Sequence, residues 1–89
     1  MSRIYNPNTD DLATVLSEYI NSDVPFVRFV SLLHPLIPVE ILEEAVNSVS
    51  WIERYAVAEN SNTPREIKQQ LTRDSNQIVR AVARDNLTG

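Results

Sequence analysis

At 89 residues the chain is a single domain with room for a small core and none for a large multi-part active site. Eight Lys plus Arg against twelve Asp plus Glu leave a net charge of −4, opposite to the basic footprint of a nucleic-acid or anionic-membrane binder. The absence of cysteine excludes disulfides, thiolate catalysis and cysteine-held zinc or iron–sulfur centres.

Punctuation is sparse and falls where helices are expected to stop and start. Asn6-Pro7-Asn8-Thr9 precedes a first helix over 10–21, in which Leu12, Val15, Leu16, Tyr19 and Ile20 make the strongest amphipathic stripe of the chain. Val24-Pro25 opens a second helix over 25–33, which His34-Pro35 closes. Pro38 opens a third over 38–48, with Ile41, Leu42, Ala45 and Val46 as its stripe. A fourth covers 51–59, where Ile52, Tyr55 and Ala56 at i, i+3 and i+4 are expected to face inward. Asn60 suits a left-handed residue closing that helix. Thr63-Pro64-Arg65-Glu66 then matches a capping box, which starts a fifth helix over 64–73. One unit earlier Ile37 stands in place of the capping hydroxyl, so packing holds that turn and the lost cap costs about 1 kcal/mol. A sixth helix covers 76–85.

These segments recur. Arg28, Arg54 and Arg80 are 26 residues apart, as are Pro38 and Pro64, Glu40 and Glu66, and Asn60 and Asn86. Residue class follows the same interval at Phe26, Ile52 and Ile78 and at Val15, Ile41 and Ile67. A fixed interval of this size marks stacked supersecondary units, each unable to bury its apolar face alone. The expected fold is an all-α solenoid of about three two-helix repeats in one domain, 1–89, with units near 1–24, 25–50, 51–76 and a partial 77–89.

The segments "RYAVAENSNTPREIKQQL" and "VRAVARDN" resemble the leucine-rich repeat variant family, a HEAT-like group of bacterial helical repeats. The match is best over 51–86 and looser over 26–50, and over 1–25 it rests on "NPNT" and a helix in register. The resemblance implies a right-handed solenoid of paired helices, some short or 3₁₀, used as a binding scaffold. Some proteins with these repeats carry a cysteine-rich iron–sulfur segment, a property that a chain without cysteine does not share. The family supplies no common catalytic residue to transfer.

Among candidate sites, the row Arg28, Arg54 and Arg80 would place three guanidinium groups along one groove, fit to hold phosphates or an acidic peptide. The competing reading pairs each arginine with a carboxylate of its own or the next unit, with Glu40 and Glu66 as the acids that share the period. Trp51 stands where other units have Pro25 and Gln77, so it is either an interface anchor or a cover for an inter-helix corner. The last helix leaves Ile78, Val79 and Val82 for a following helix to cover, and the chain stops at Leu87-Thr88-Gly89. That predicts an open end available for association, including self-association through the C-terminal helix.

Asp10-Asp11, Glu18, Asp23 and Glu43-Glu44 read as solvated helix-surface acids, and His34, the sole histidine, as a helix-terminal residue. No catalytic, cofactor or metal site is expected. The two halves differ in charge: residues 1–53 hold two bases against eight acids, net −6, and residues 54–89 hold six bases against four acids, net +2.

With no signal peptide and no apolar run approaching ~20 residues, a cytoplasmic protein that avoids membranes is expected, and Met1 favours a complete gene product. The leading functional expectation is a non-catalytic protein-interaction module that binds a partner or itself. The alternative is an accessory protein taking a small anion or acidic peptide at the arginine row. An enzyme and a nucleic-acid binder rank lower.

Overall fold

The computed structural model describes residues 9–88, and among them the chain forms six helices and no strand. They are α1 (Thr9–Tyr19), α2 (Pro25–Leu33), α3 (Val39–Ala45), α4 (Trp51–Glu59), α5 (Arg65–Leu71) and α6 (Gln77–Thr88). The expected helices are all present, with shifted ends. Residues 6–8 of the expected turn and the side chains of Asp10 and Asp11 lie outside the described residues, and Thr9, expected in that turn, is the first residue of α1. Helices α3 and α5 stop two to three residues early, each passing into a tight turn through Val46 and Thr72. Helix α6 runs on through Asn86 to Thr88, past the position at which α2 and α4 end.

Helix α4 is the centre. It packs against α2 on one side and α6 on the other, and against α3 and α5. Its first-turn Glu53 meets Arg28 of α2, while Asn60, just past its end, meets Leu32 and His34 at the end of α2. The two helices therefore run in the same direction. Contact on several sides explains why Ala56, Val57 and Ala58 are all completely buried, and why two of the three are small. The inward face of α4 is thus centred on 56–58. Ile52, expected to point inward, is 43% exposed.

Leu32, Leu42, Leu71, Val79 and Ala83 complete the fully closed part of the core around α4, with Leu16, Ile37 and Val46 at its edge. The stripe of α3 is as expected, with Leu42 and Val46 buried and Ile41 and Ala45 packed beside them. That of α1 is weaker than expected: Leu16 is buried but Tyr19 is exposed. Ile37 is buried, so packing does hold the turn before α3.

Two polar devices recur at the 26-residue interval. In the first, the side-chain oxygen of Ser22, Ser48 or Asp74 accepts the amide N–H two residues on, at 3.0, 3.1 and 2.9 Å. The carbonyl of the same residue accepts Nη1 of the arginine six residues later, Arg28, Arg54 or Arg80, at 2.5, 2.6 and 2.8 Å. Each turn is thereby tied to the first turn of the helix it introduces. In the second, the side chains of His34 and Asn60 accept the amide N–H of Leu36 and Asn62. This gives His34 the helix-terminal role expected of it.

Asn60 owes its place to its side chain and not to a left-handed backbone. Its φ is −69°, and no non-glycine residue among those described has positive φ. Its amide donates to the carbonyls of Leu32 and His34 at 2.8 and 3.0 Å, joining the ends of α2 and α4. The capping box is also not formed. The Thr63 hydroxyl turns back to donate to Val57 O at 2.7 Å, and Pro64 occupies the cap position of α5 without a side-chain bond. Thr63 thereby pairs a carbonyl inside buried α4, and Asn60 one at the end of α2.

A left-handed residue is rescued by glycine, whereas a buried amide tether is not. Asn60→Gly is expected to lose about 2 kcal/mol or more in urea unfolding, at least as much as Asn60→Ala. A glycine variant close to wild type would contradict the tether.

Candidate binding site

The arginine row is engaged within the protein. Arg54 forms a two-pronged pair with Asp74, Nε to Oδ1 at 2.7 Å and Nη2 to Oδ2 at 3.2 Å, with the side chains only 14% and 8% exposed. Arg28 Nε meets Glu53 Oε2 at 2.8 Å, and Ser48 Oγ donates to the other oxygen of the same carboxylate. The partners are Glu53 and Asp74. Glu40 and Glu66, which share the repeat interval, are exposed in the first turns of α3 and α5. Arg80 donates to Asp74 O and has no carboxylate partner among the described residues.

The partner moves because Val79, fully buried, occupies the position equivalent to Glu53. The carboxylate for Arg54 is supplied instead from the turn, where Asp74 replaces Ser48. Burial alone would raise the Asp74 carboxyl. The hydrogen bonds from Arg54 and the Asn76 amide, with the charges of Arg54 and Arg80, outweigh it and hold the group below the ordinary carboxylate value.

A second polar chain links α4, α5 and α6. Buried Lys68 donates to Asn86 Oδ1 at 3.0 Å, the Asn86 amide donates to Glu59 Oε1 at 3.2 Å, and Tyr55 OH donates to Glu59 Oε2 at 3.3 Å. Burial pulls the Lys68 ammonium down, with the charge of Glu59 opposing, and burial followed by Glu59 pushes the Tyr55 phenol up. Lys68 occupies the position of fully buried Leu42 in the preceding unit. Among the described residues, no group of three or more His, Cys, Asp or Glu is placed to hold a metal ion.

The feature that the protein leaves unsatisfied is apolar. Phe26, Ile52 and Ile78, one from the first turn of each of α2, α4 and α6, are 69%, 43% and 47% exposed. Trp51 is 38% exposed beside them. Phe29 and Tyr55 stack with ring centroids 6.2 Å apart and form the floor, and Phe26 lies 6.4 Å from Phe29. Two apolar hollows flank Ile52. One, of about 360 Å³, lies between α2 and α4 and is lined by Phe26, Phe29 and Ile52. The other, of about 340 Å³, reaches Trp51, Tyr55 and Ile78. A larger polar depression of about 800 Å³ follows the end of α5 past Glu66, Arg73 and Asp74, and offers no comparable apolar contact.

Of the three residues expected on an open face of the last helix, only Ile78 is exposed. Val79 is closed inside the core, and Val82 is half-buried against it. Trp51 and Ile78 instead line one hollow together. The sequence pattern contained the exposed row, since Phe26, Ile52 and Ile78 share a register, but a recurrent apolar position looks the same whether it faces the core or the solvent.

In comparison with known proteins, no family model, no curated protein and no solved structure matches the chain. No helix among the described residues is long and apolar enough to cross a membrane.

Removing one partner of a largely desolvated ion pair strands the other, so Arg54→Met is expected to lose about 3 kcal/mol in denaturant unfolding. Arg28→Met, at a pair whose arginine is 28% exposed, is expected to lose about 1 kcal/mol. Equal, small losses would contradict a structural role for the row.

A carboxyl held lower in the folded than in the unfolded chain stabilises fully above its unfolded pKa, about 3.9, and this is lost as pH falls through the folded value. Asp74→Asn is therefore expected to lower the melting temperature at pH 7 and to flatten its fall below about pH 4. Parallel wild-type and variant curves through the acid limb would contradict the depressed carboxyl.

Proposed function

We propose that the protein is a non-catalytic protein-binding module of the helical-repeat type, and that it engages its partner through the apolar row of α2, α4 and α6. The observation carrying this reading is the exposure of Phe26, Ile52 and Ile78 at one position of three successive units, beside the half-open Trp51. Large exposed apolar groups gathered on one side of a small monomer mark interaction surfaces, and an aromatic among them supplies an anchor. The turn tethers and the arginine contacts that recur every 26 residues support a short right-handed solenoid of the leucine-rich repeat variant or HEAT-like kind. Such a scaffold holds the row on rigid elements.

The alternative, an anion or acidic peptide at the arginine row, loses support because Arg28 and Arg54 already hold carboxylates and backbone carbonyls. Self-association through the C-terminal helix loses part of its basis with Val79 buried.

The test is a peptide selection on the wild-type chain, counter-selected on Ile52→Asp. Ligands rich in apolar residues that bind the wild type and lose at least tenfold on Ile52→Asp and Phe26→Ser, both melting as wild type does, are the expected outcome. Ligands that instead lose affinity on Arg80→Gln and ignore the apolar variants would favour the arginine row.

A further inference from the structure

We propose that the occupant of the apolar row is an amphipathic helix of a partner protein whose polar flank is basic. This rests on the protein-binding reading and adds the chemistry of the partner. The row has two hollows separated by Ile52, one between α2 and α4 and one between α4 and α6. Packed helices lie ~8–10 Å apart, so the row is roughly 16–20 Å long, a span covered by three to four turns of a crossing helix. Two apolar anchors about two turns apart on that helix would enter the two hollows. A helix satisfies its own backbone, and the described residues offer no strand edge for an extended peptide to pair with.

Charge selects the kind of helix. A third hollow, of about 370 Å³, lies between the later turns of α4 and α6, lined by Glu59, Ala81, Val82 and Asp85, and Tyr55 of the second hollow donates to its Glu59. Across the three hollows the charged lining groups are Glu53, Glu59 and Asp85, with no Lys or Arg. Glu53 is neutralised by Arg28. Glu59 receives only neutral donors, Tyr55 OH and the Asn86 amide, and both it and Asp85 are exposed. The cation that senses Glu59 is Lys68, which is buried behind Asn86, and Arg84 turns away to the Thr72 carbonyl. Both carboxylates also sit at helix C-terminal ends, where the backbone adds partial negative charge. The surface is thus apolar at α2 and anionic at the far ends of α4 and α6, which complements an apolar face continued by Lys or Arg. Two copies joined row to row would bring the same acidic groups into one interface, which disfavours self-pairing.

The test titrates the full chain with three synthetic helices of about 18 residues sharing one leucine pattern, with polar positions all Lys, all Glu or all Gln. Trp51, the sole tryptophan, lies in the row and reports binding by its emission. The expected result is a blue shift with the Lys helix, at least tenfold tighter than with the Glu helix at about 50 mM salt and weaker at about 500 mM. Glu59→Lys with Asp85→Lys should weaken the Lys helix about tenfold. Glu43→Lys with Glu44→Lys on α3 makes the same change in net charge and should leave binding unchanged. Equal binding of all three helices, lost in Ile52→Asp and Phe26→Ser, would keep the apolar docking and overturn the basic partner. Equal weakening by both pairs of lysines would overturn it too. Binding of none, with a mass in light scattering that rises with concentration and falls in Ile52→Asp, would assign the row to a second copy. Binding of none by a monomer would overturn both the basic helix and the apolar row as a binding site.

Discussion

The fold depends on one kind of bond, the arginine Nη1 that returns to a turn carbonyl six residues earlier. It closes Ser22, Ser48 and Asp74 onto the helices that follow, and in Arg28 and Arg54 the same guanidinium presents its Nε to a carboxylate. At Arg28 and Arg54 a single planar group therefore fixes both the turn and the approach of the next stretch of chain. Lysine, with one point of charge, cannot do both at once. In a chain whose closed core is only a handful of side chains around α4, such tethers set the angle at which short helices meet, which apolar contact alone leaves loose.

The tether also explains what the surface lacks. A row of three arginines is a strong cation field only while the guanidinium groups face solvent. Here the first two are neutralised by Glu53 and Asp74, and the third is turned toward a backbone carbonyl. Nothing comparable neutralises the carboxylates at the far ends of α4 and α6. The charge beside the apolar row is therefore negative, although residues 54–89 carry an excess of bases.

The positions of all six helices were legible in the sequence because prolines, Asn60 and the apolar spacing mark their ends. Environments were less legible. Periodicity states that two positions are equivalent without stating which way they face, so Phe26, Ile52 and Ile78 could be matched but not oriented. It also hides a contact whose members change register. Arg54 takes its carboxylate from Asp74 because Val79 has replaced the equivalent of Glu53, and no comparison at fixed spacing can find that exchange. Asn60 and Thr63 carry the side chains that local rules favour for a left-handed end and a capping box. Burial of α4 recruits both to satisfy carbonyls instead, a tertiary demand overriding a local one.

That override bears on the apolar row. Central residues of α4 have no freedom, since contact on several sides admits only Ala56, Val57 and Ala58 or side chains of similar bulk. The apolar first-turn residues do have freedom. Ile52 and Ile78 keep nearly half their surface in water and Phe26 more than half, so each contributes far less to folding than a closed Leu32 or Leu42. A polar residue would fit any of the three positions at little expense in stability, yet all three units hold a large apolar one. The folding of the isolated chain gives no reason for that, and it is this excess of apolar surface, bordered by Glu59 and Asp85, on which the proposed docking of a partner rests.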